Sequence, residues 1–230
     1  MNKRLREEYF SETRFNRYLL SVGNDLSKAK QLYLANIRLA QAFHPLVTQF
    51  EVVLRNSLNH HLAIHFGDKD WIINQDIGFM SHSSLNNSRY FLKRSVIKSK
   101  RSLKKRSVPI TSGKVISSLT FGFWIALYLR HHYRLIGGAP LNVFIQKPSY
   151  ENRASIYAKL DLLRNFRNRV NHSEPLCLSV HDIDCTSAHL SLQTLYSLIT
   201  WIDPDLIKFF KRIDNVDNKI NAITRISQPK

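Results

Sequence analysis

Glycine and proline, the residues that most sharply interrupt regular structure, occur only seven times each in this chain of 230 residues. A β-sandwich or barrel needs a turn between every pair of short strands, and so few turn-formers cannot supply them. The long stretches between them carry apolar residues three and four apart, the period of an amphipathic helix. That pattern predicts an all-α fold. Hydrophobic residues make up 43 % and aromatics 11 %, enough to bury a core, so the chain reads as globular. No internal repeat, low-complexity tract or long linker divides it, and residues 1–230 are expected to form a single domain.

The helix signals fall in a clear order. Residues 3–20 suit a short helix of mixed charge, and Ser27 is placed to cap one running to about residue 42. Pro45 is expected to start another, which Gly67 stops. A short helix is expected around Trp71, a long one over 83–107, and a buried one over 113–135 that Gly137 and Gly138 end. Ser149 is placed to cap a helix running to about residue 173, Thr186 or Ser187 to open one to Trp201, and Pro204 to begin the last. The longest apolar run, 115–129, has 15 residues. A bilayer span takes about 20, so no membrane partner is expected. The opening stretch MNKRLREEYFSETRF lacks the apolar centre of a secretory signal. Two cysteines, Cys177 and Cys185, make neither a disulfide framework nor a zinc pattern, which fits a cytoplasmic protein.

Charge narrows the partners. Against 17 Asp and Glu stand 34 Lys and Arg, a formal net charge of +17. A chain this basic is drawn to polyanions, because neutralising phosphates releases condensed counterions. The densest stretch is FLKRSVIKSKRSLKKRS, with Lys93, Arg94, Lys98, Lys100, Arg101, Lys104, Lys105 and Arg106 and no acid. Tyr90 and Phe91 stand at its start. These eight residues are the candidate nucleic-acid-binding surface, suited to gripping phosphates without reading sequence.

Other candidates are weaker. Glu51, Arg55 and Asn59 recur at four-residue spacing on an otherwise apolar helix, where charges are costly unless paired. They read as an ion-paired row, or as support in which Glu51 orients a working arginine or histidine. His61 and His65 share a helical face, but no glutamate stands between them as a zincin requires and no third ligand follows, so no metal site is assigned. A glycine-rich phosphate loop, a nucleophile elbow and a magnesium-binding carboxylate cluster are all missing from the sequence.

What remains is LLRNFRNRVNHSEPL, residues 162–176. At roughly 100° per residue, Leu162, Leu163, Phe166 and Val170 form an apolar stripe, while Arg164, Arg167, Asn168, Asn171 and His172 fall opposite. Pro175 cannot continue the helix, so His172 is expected in its last turn. Such a face is either solvated or chemically active.

The segment RNRVNH, 167–172, resembles the ribonuclease motif of the HEPN superfamily, an arginine and a histidine separated by a few residues. HSEPL is similar to the ending of that motif in Abi-like (abortive infection) proteins, and FEVVLRNSLNHHLAIHFGDKDW and SLTFGFWIALY resemble two further segments of the same family, in the same order. The resemblance covers residues from about 30 to 205. It implies a HEPN-type helical bundle acting as a homodimeric, metal-independent RNA endonuclease without cofactor, in the role of a growth-arresting toxin or antiphage effector. It further implies that Arg167 and His172 are catalytic, with Asn168 at the motif's polar second position. Arg164, Asn171, Glu51 and Arg55 are then supporting residues. RNA is the implied partner, as substrate and as a plausible antidote in a toxin–antitoxin pair. The alternative is a catalytically silent RNA-binding protein that uses the same basic surface.

The chemistry suits these residue types. RNA carries its own nucleophile, the 2′-hydroxyl beside each phosphate. Histidine titrates near neutrality and serves as general base or acid, worth about 10²- to 10⁴-fold. A guanidinium stays charged and makes paired bonds to phosphate oxygens, which favours a charge-rich transition state. Asn168, one turn before His172, can orient the imidazole or the phosphate.

Overall fold

A computed structural model describes residues 3–180 and 182–227. The fold is all-α: 74 % of the described residues are helical, and they contain one isolated antiparallel bridge, Leu178 with Ile183, and no strand. The α-helices are α1 (Lys3–Leu5), α2 (Glu12–Leu20), α3 (Leu26–Phe66), α4 (Trp71–Asn74), α5 (Phe91–Lys105) and α6 (Ser112–Ser118). They continue with α7 (Phe121–Ala126), α8 (Arg130–Leu135), α9 (Arg153–Asn171), α10 (Thr186–Ile202), α11 (Leu206–Ile213) and α12 (Val216–Ser227). No helix of the described residues is long and apolar enough to cross a membrane.

Side-chain oxygens one or two residues ahead of a helix set several of the starts. Asp25 Oδ1 accepts from the Ser27 and Lys28 amides at 2.8 and 3.0 Å, so Asp25 and not Ser27 caps α3. Asn152 Oδ1 caps α9 through the Ala154 amide at 2.8 Å, replacing Ser149. Asp184 Oδ1 takes the Thr186 amide at 2.8 Å before α10.

Several expected boundaries differ: the helix expected over 3–20 is broken at Ser11, with φ of 61°, and the one expected last ends at Ile213 and is followed by α12. Pro45 does not open a new helix but lies inside α3, which runs unbroken for 41 residues. A proline leaves the carbonyl four residues back without its donor and costs about 3 kcal/mol in a helix interior. That carbonyl belongs to Gln41, which is exposed, so water can satisfy it. Phe43, Leu46, Val47 and Phe50 are buried on either side of Pro45, each worth about 1.5–3 kcal/mol, and together they outweigh the break. The stretch 113–135 is not one helix but three short ones, α6, α7 and α8. Ser117 and Ser118 turn their hydroxyls onto the carbonyls of Lys114 and Val115, and Leu119 and Thr120 then extend. Finally, 83–88 forms a 3₁₀ turn, and Arg89 and Tyr90 adopt φ of 50° and 52°, so α5 begins only at Phe91.

The chain packs as two compact units, Met1–Thr48 with Asn165–Ser197 and Asp205–Lys230, and Gln49–Arg164 with Leu198–Pro204. In the first, Ala29, Leu32, Asn36, Leu39 and Phe43 make the buried seam of α3. Phe43 meets Phe166 of α9 edge to face at 4.6 Å, and Val170 is buried one turn further on. In the second, Trp71, Phe121, Trp124, Tyr128 and Phe144 are fully or almost fully buried. Asn59 Oδ1 accepts from Trp71 Nε1 at 2.9 Å, and Tyr128 donates its hydroxyl to the Pro140 carbonyl at 2.8 Å.

Candidate functional site

The polar motif lies on the last two turns of α9, in the first unit, with His172 not in the last turn but one residue past the helix end, its amide still bonded to the Asn168 carbonyl at 2.9 Å. Phe166 and Val170 are buried, 3 % and 5 % exposed, while Asn168, Asn171 and His172 are exposed and Arg167 is half-buried. The amphipathic division expected of this segment is therefore present, and Leu163 extends its buried side. Leu162 is half-buried.

The helix ends in a reciprocal pair of capping bonds. The Ser173 amide bonds to the Val170 carbonyl at 3.1 Å and the Glu174 amide to the Arg169 carbonyl at 2.9 Å. This is the Schellman arrangement, which places one residue in the left-handed region and usually selects glycine there. Here that residue is Ser173, with φ of 53°.

Two side chains from elsewhere, Arg14 and Asn36, and one of the helix's own, Arg169, hold the turn. Arg14 of α2 donates from Nη2 to the His172 carbonyl at 3.1 Å, a cation on the electronegative end of α9. Asn36 of α3, 2 % exposed, donates to the Glu174 carbonyl at 3.2 Å and accepts from the Leu176 amide at 2.6 Å. Arg169 donates to the Pro175 carbonyl at 2.5 Å and to Ser187 Oγ at 2.9 Å, with Glu174 at 3.7 Å. Sequence reasoning missed Arg14, Asn36 and the holding role of Arg169. A cation for a helix C-terminus can be anticipated, but not which arginine supplies it. A groove of about 180 Å³ runs beside the turn, lined by Asn36, Gln41 and His44 from α3 and by Val170 and Ser173. His44 is exposed there.

Cys177 and Cys185 are free thiols. Burial pushes Cys177 up to about 12 and Cys185 up to about 11, so neither is a ready nucleophile.

The supporting residues Arg164, Glu51 and Arg55 belong to the second unit. Arg164 pairs with Asp161 one turn back at 2.5 Å, Glu51 is half-buried, and Arg55 Nε donates to Asn56 Oδ1 at 3.3 Å. Burial lowers the pKa of His61, with His60 adding to the effect. Among the described residues no group of three or more His, Cys, Asp or Glu side chains is arranged to hold a metal ion.

The basic stretch also lies in the second unit, on α5. Leu92, Val96, Ser99 and Leu103 face the core, while Arg94, Lys98, Arg101 and Lys105 are exposed at spacings of four, three and four. With Phe91 they form one stripe about 21 Å long on the opposite face. Lys104 and Arg106 are exposed beside it and Lys93 is half-buried. Lys100 is turned away from the stripe. Its Nζ lies 2.6 Å from Asp76 Oδ2 and 2.9 Å from the Ile73 carbonyl.

Comparison of the chain with protein-family models, with curated proteins and with solved structures returns no match. The functional reading therefore stands on the residues and their geometry.

Proposed function

We propose that the chain is an RNA endonuclease of the HEPN, Abi-like kind, with Arg167 and His172 as its catalytic pair. One observation carries the reading. A helix end exposing Asn168, Asn171 and His172 is pinned from three directions by Arg14, Asn36 and Arg169. Such bonds cap a helix end of any kind. What supports the reading is that they fix the backbone beneath Asn168, Asn171 and His172 while leaving those side chains exposed, as a site that must meet a phosphate at one geometry requires.

In the reaction the 2′-oxygen attacks the adjacent phosphorus and loses its proton to a base. The phosphorus–5′-oxygen bond breaks, the 5′-oxygen takes up a proton, and a 2′,3′-cyclic phosphate remains. His172 exchanges one of these protons, Arg167 faces the non-bridging phosphate oxygens, and Asn168 orients the phosphate. Arg94, Lys98, Arg101 and Lys105 supply affinity along the strand.

His172→Ala and Arg167→Ala are each expected to lower the cleavage rate at least 100-fold while RNA affinity changes only a few-fold. Gel assays on purified protein, beside a substrate with deoxyribose at the cut site, test this. Wild-type rates in either variant, or efficient cutting of the deoxyribose substrate, would refute the assignment.

A further inference from the structure

At the N-terminal end of the α5 stripe the second unit holds a cavity of about 310 Å³. Its walls include Phe91, Gly122, Ile125, Leu129, Tyr157 and Arg164, with His131 and His132 beside them. The volume lies at the small end of ligand sites, about 300–1,000 Å³, so the occupant is a single ring system and not an extended molecule. Phe91, 41 % exposed, belongs both to the stripe and to the cavity wall. The cavity is thus continuous with the row of exposed cations.

The surrounding polar atoms carry unmet capacity. His131 Nε2, His132 Nε2 and Arg164 Nε have no hydrogen-bond partner, although each is shielded from solvent. A carbonyl can only accept, so His132 Nδ1, 2.8 Å from the Ala126 carbonyl, carries the proton and leaves Nε2 of the neutral ring as an acceptor. Arg164 Nε can only donate. A donor and an acceptor, both from residues lining a cavity with apolar and aromatic walls, suit the hydrogen-bonding edge of a nucleobase. They match a free anion poorly, since the lone pair of His132 would repel it. A positive track with an aromatic platform at its end is the usual way to hold single-stranded nucleic acid.

We propose that this cavity binds one unstacked base of a single RNA strand whose phosphates follow Arg94, Lys98, Arg101 and Lys105. The base lies against Phe91 and its edge approaches Arg164 and His132. The proposal rests on the RNA-binding half of the function above and is independent of cleavage.

The test measures affinity of the full chain for a labelled 2′-O-methyl decauridine, which cannot be cut by 2′-oxygen attack, and for an abasic decamer of the same backbone. Loss of the bases is expected to weaken wild-type binding about ten-fold, in line with alanine substitution of stacking platforms. Phe91→Ala is expected to bring decauridine binding down to the abasic level with an unchanged salt slope. Gly122→Leu should do the same. A Cβ added at Gly122 meets only Thr120 Oγ1, at 3.7 Å, so the new side chain enters open space by the cavity. Thermal unfolding checks that this variant folds. If it does not, the exposed position Phe91 decides the matter. Wild-type affinity for decauridine in Phe91→Ala, or equal wild-type affinity for both decamers, would overturn the proposal. Free uridine monophosphate is expected to compete only weakly. Competition as tight as the decamer's would overturn the strand-bound base in favour of a free nucleotide. Failure of the nuclease reading would show instead as an uncut natural RNA, with the decamer results unaffected.

Discussion

Ser173 holds a backbone conformation that a side chain resists. A non-glycine residue in the left-handed region costs about 1 kcal/mol, and Ser173 adopts it with φ of 53° one position after His172. Ser173→Gly is therefore expected to raise stability by up to about 1 kcal/mol, read as a higher urea midpoint at constant slope. A lower midpoint would mean that the serine side chain supports the turn. At this scale the candidate site was partly legible. The burial of Phe166 and Val170 and the exposure of Asn168, Asn171 and His172 follow from helical spacing alone. The bond from Arg14 to the His172 carbonyl does not, because it joins residues 158 apart and no local pattern encodes a pairing at that distance.

Among the elements, α5 was legible in its charge but not in its detail. Eight basic residues look alike in sequence, yet Lys100 serves Asp76 while Arg94, Lys98, Arg101 and Lys105 face solvent. Replacing those four with glutamine should flatten the slope of log affinity against log salt by about 0.7 for each phosphate that is no longer neutralised. Lys100→Gln should leave the slope alone and lower stability by about 1–2 kcal/mol, since it strands the Asp76 carboxylate, whose side chain is only 14 % exposed. Equal slopes in the two variants would contradict this division. The breaks between α6, α7 and α8 were not legible for a different reason. Phe121, Phe123, Trp124, Ile125 and Tyr128 are buried on every face, so no apolar period marks where one helix stops. Within α8, burial drives the His132 imidazole down from 6.5 to about 4, with His131 adding to the shift and the bond to Ala126 opposing it. The unfolded chain then takes up a proton that the folded chain refuses. Stability is full above pH 6.5 and falls as pH drops toward 4, by up to about 3 kcal/mol. His132→Gln should shrink that loss when urea midpoints at pH 7 and pH 5 are compared. An unchanged pH dependence would place its source elsewhere.

For the molecule as a whole, the proposed cleavage needs a base at the 2′-oxygen and an acid at the 5′-oxygen, while one motif carries one histidine. A two-fold dimer with the 162–173 segments facing each other would bring two imidazoles and two Arg167 side chains around one phosphate. Light scattering and cleavage measured together across a dilution series should show activity falling as dimer is lost. A fully active monomer would rule out the shared site and turn attention to His44, which opens onto the groove beside the same turn. The two compact units left little mark in composition, because three of their four boundaries fall inside α3, α9 and α10 and only the fourth, at Pro204–Asp205, lies in a short connection between helices. The three-way hold on the His172 turn has a consequence in time. Arg14 and Asn36 leave the ribosome long before the carbonyls and amides they bind at 172–176, and Ser187 follows later still. On the proposed reading, a nascent chain therefore lacks the fully held His172 turn until Ser187 has emerged, and a product truncated before that point lacks the fixed site.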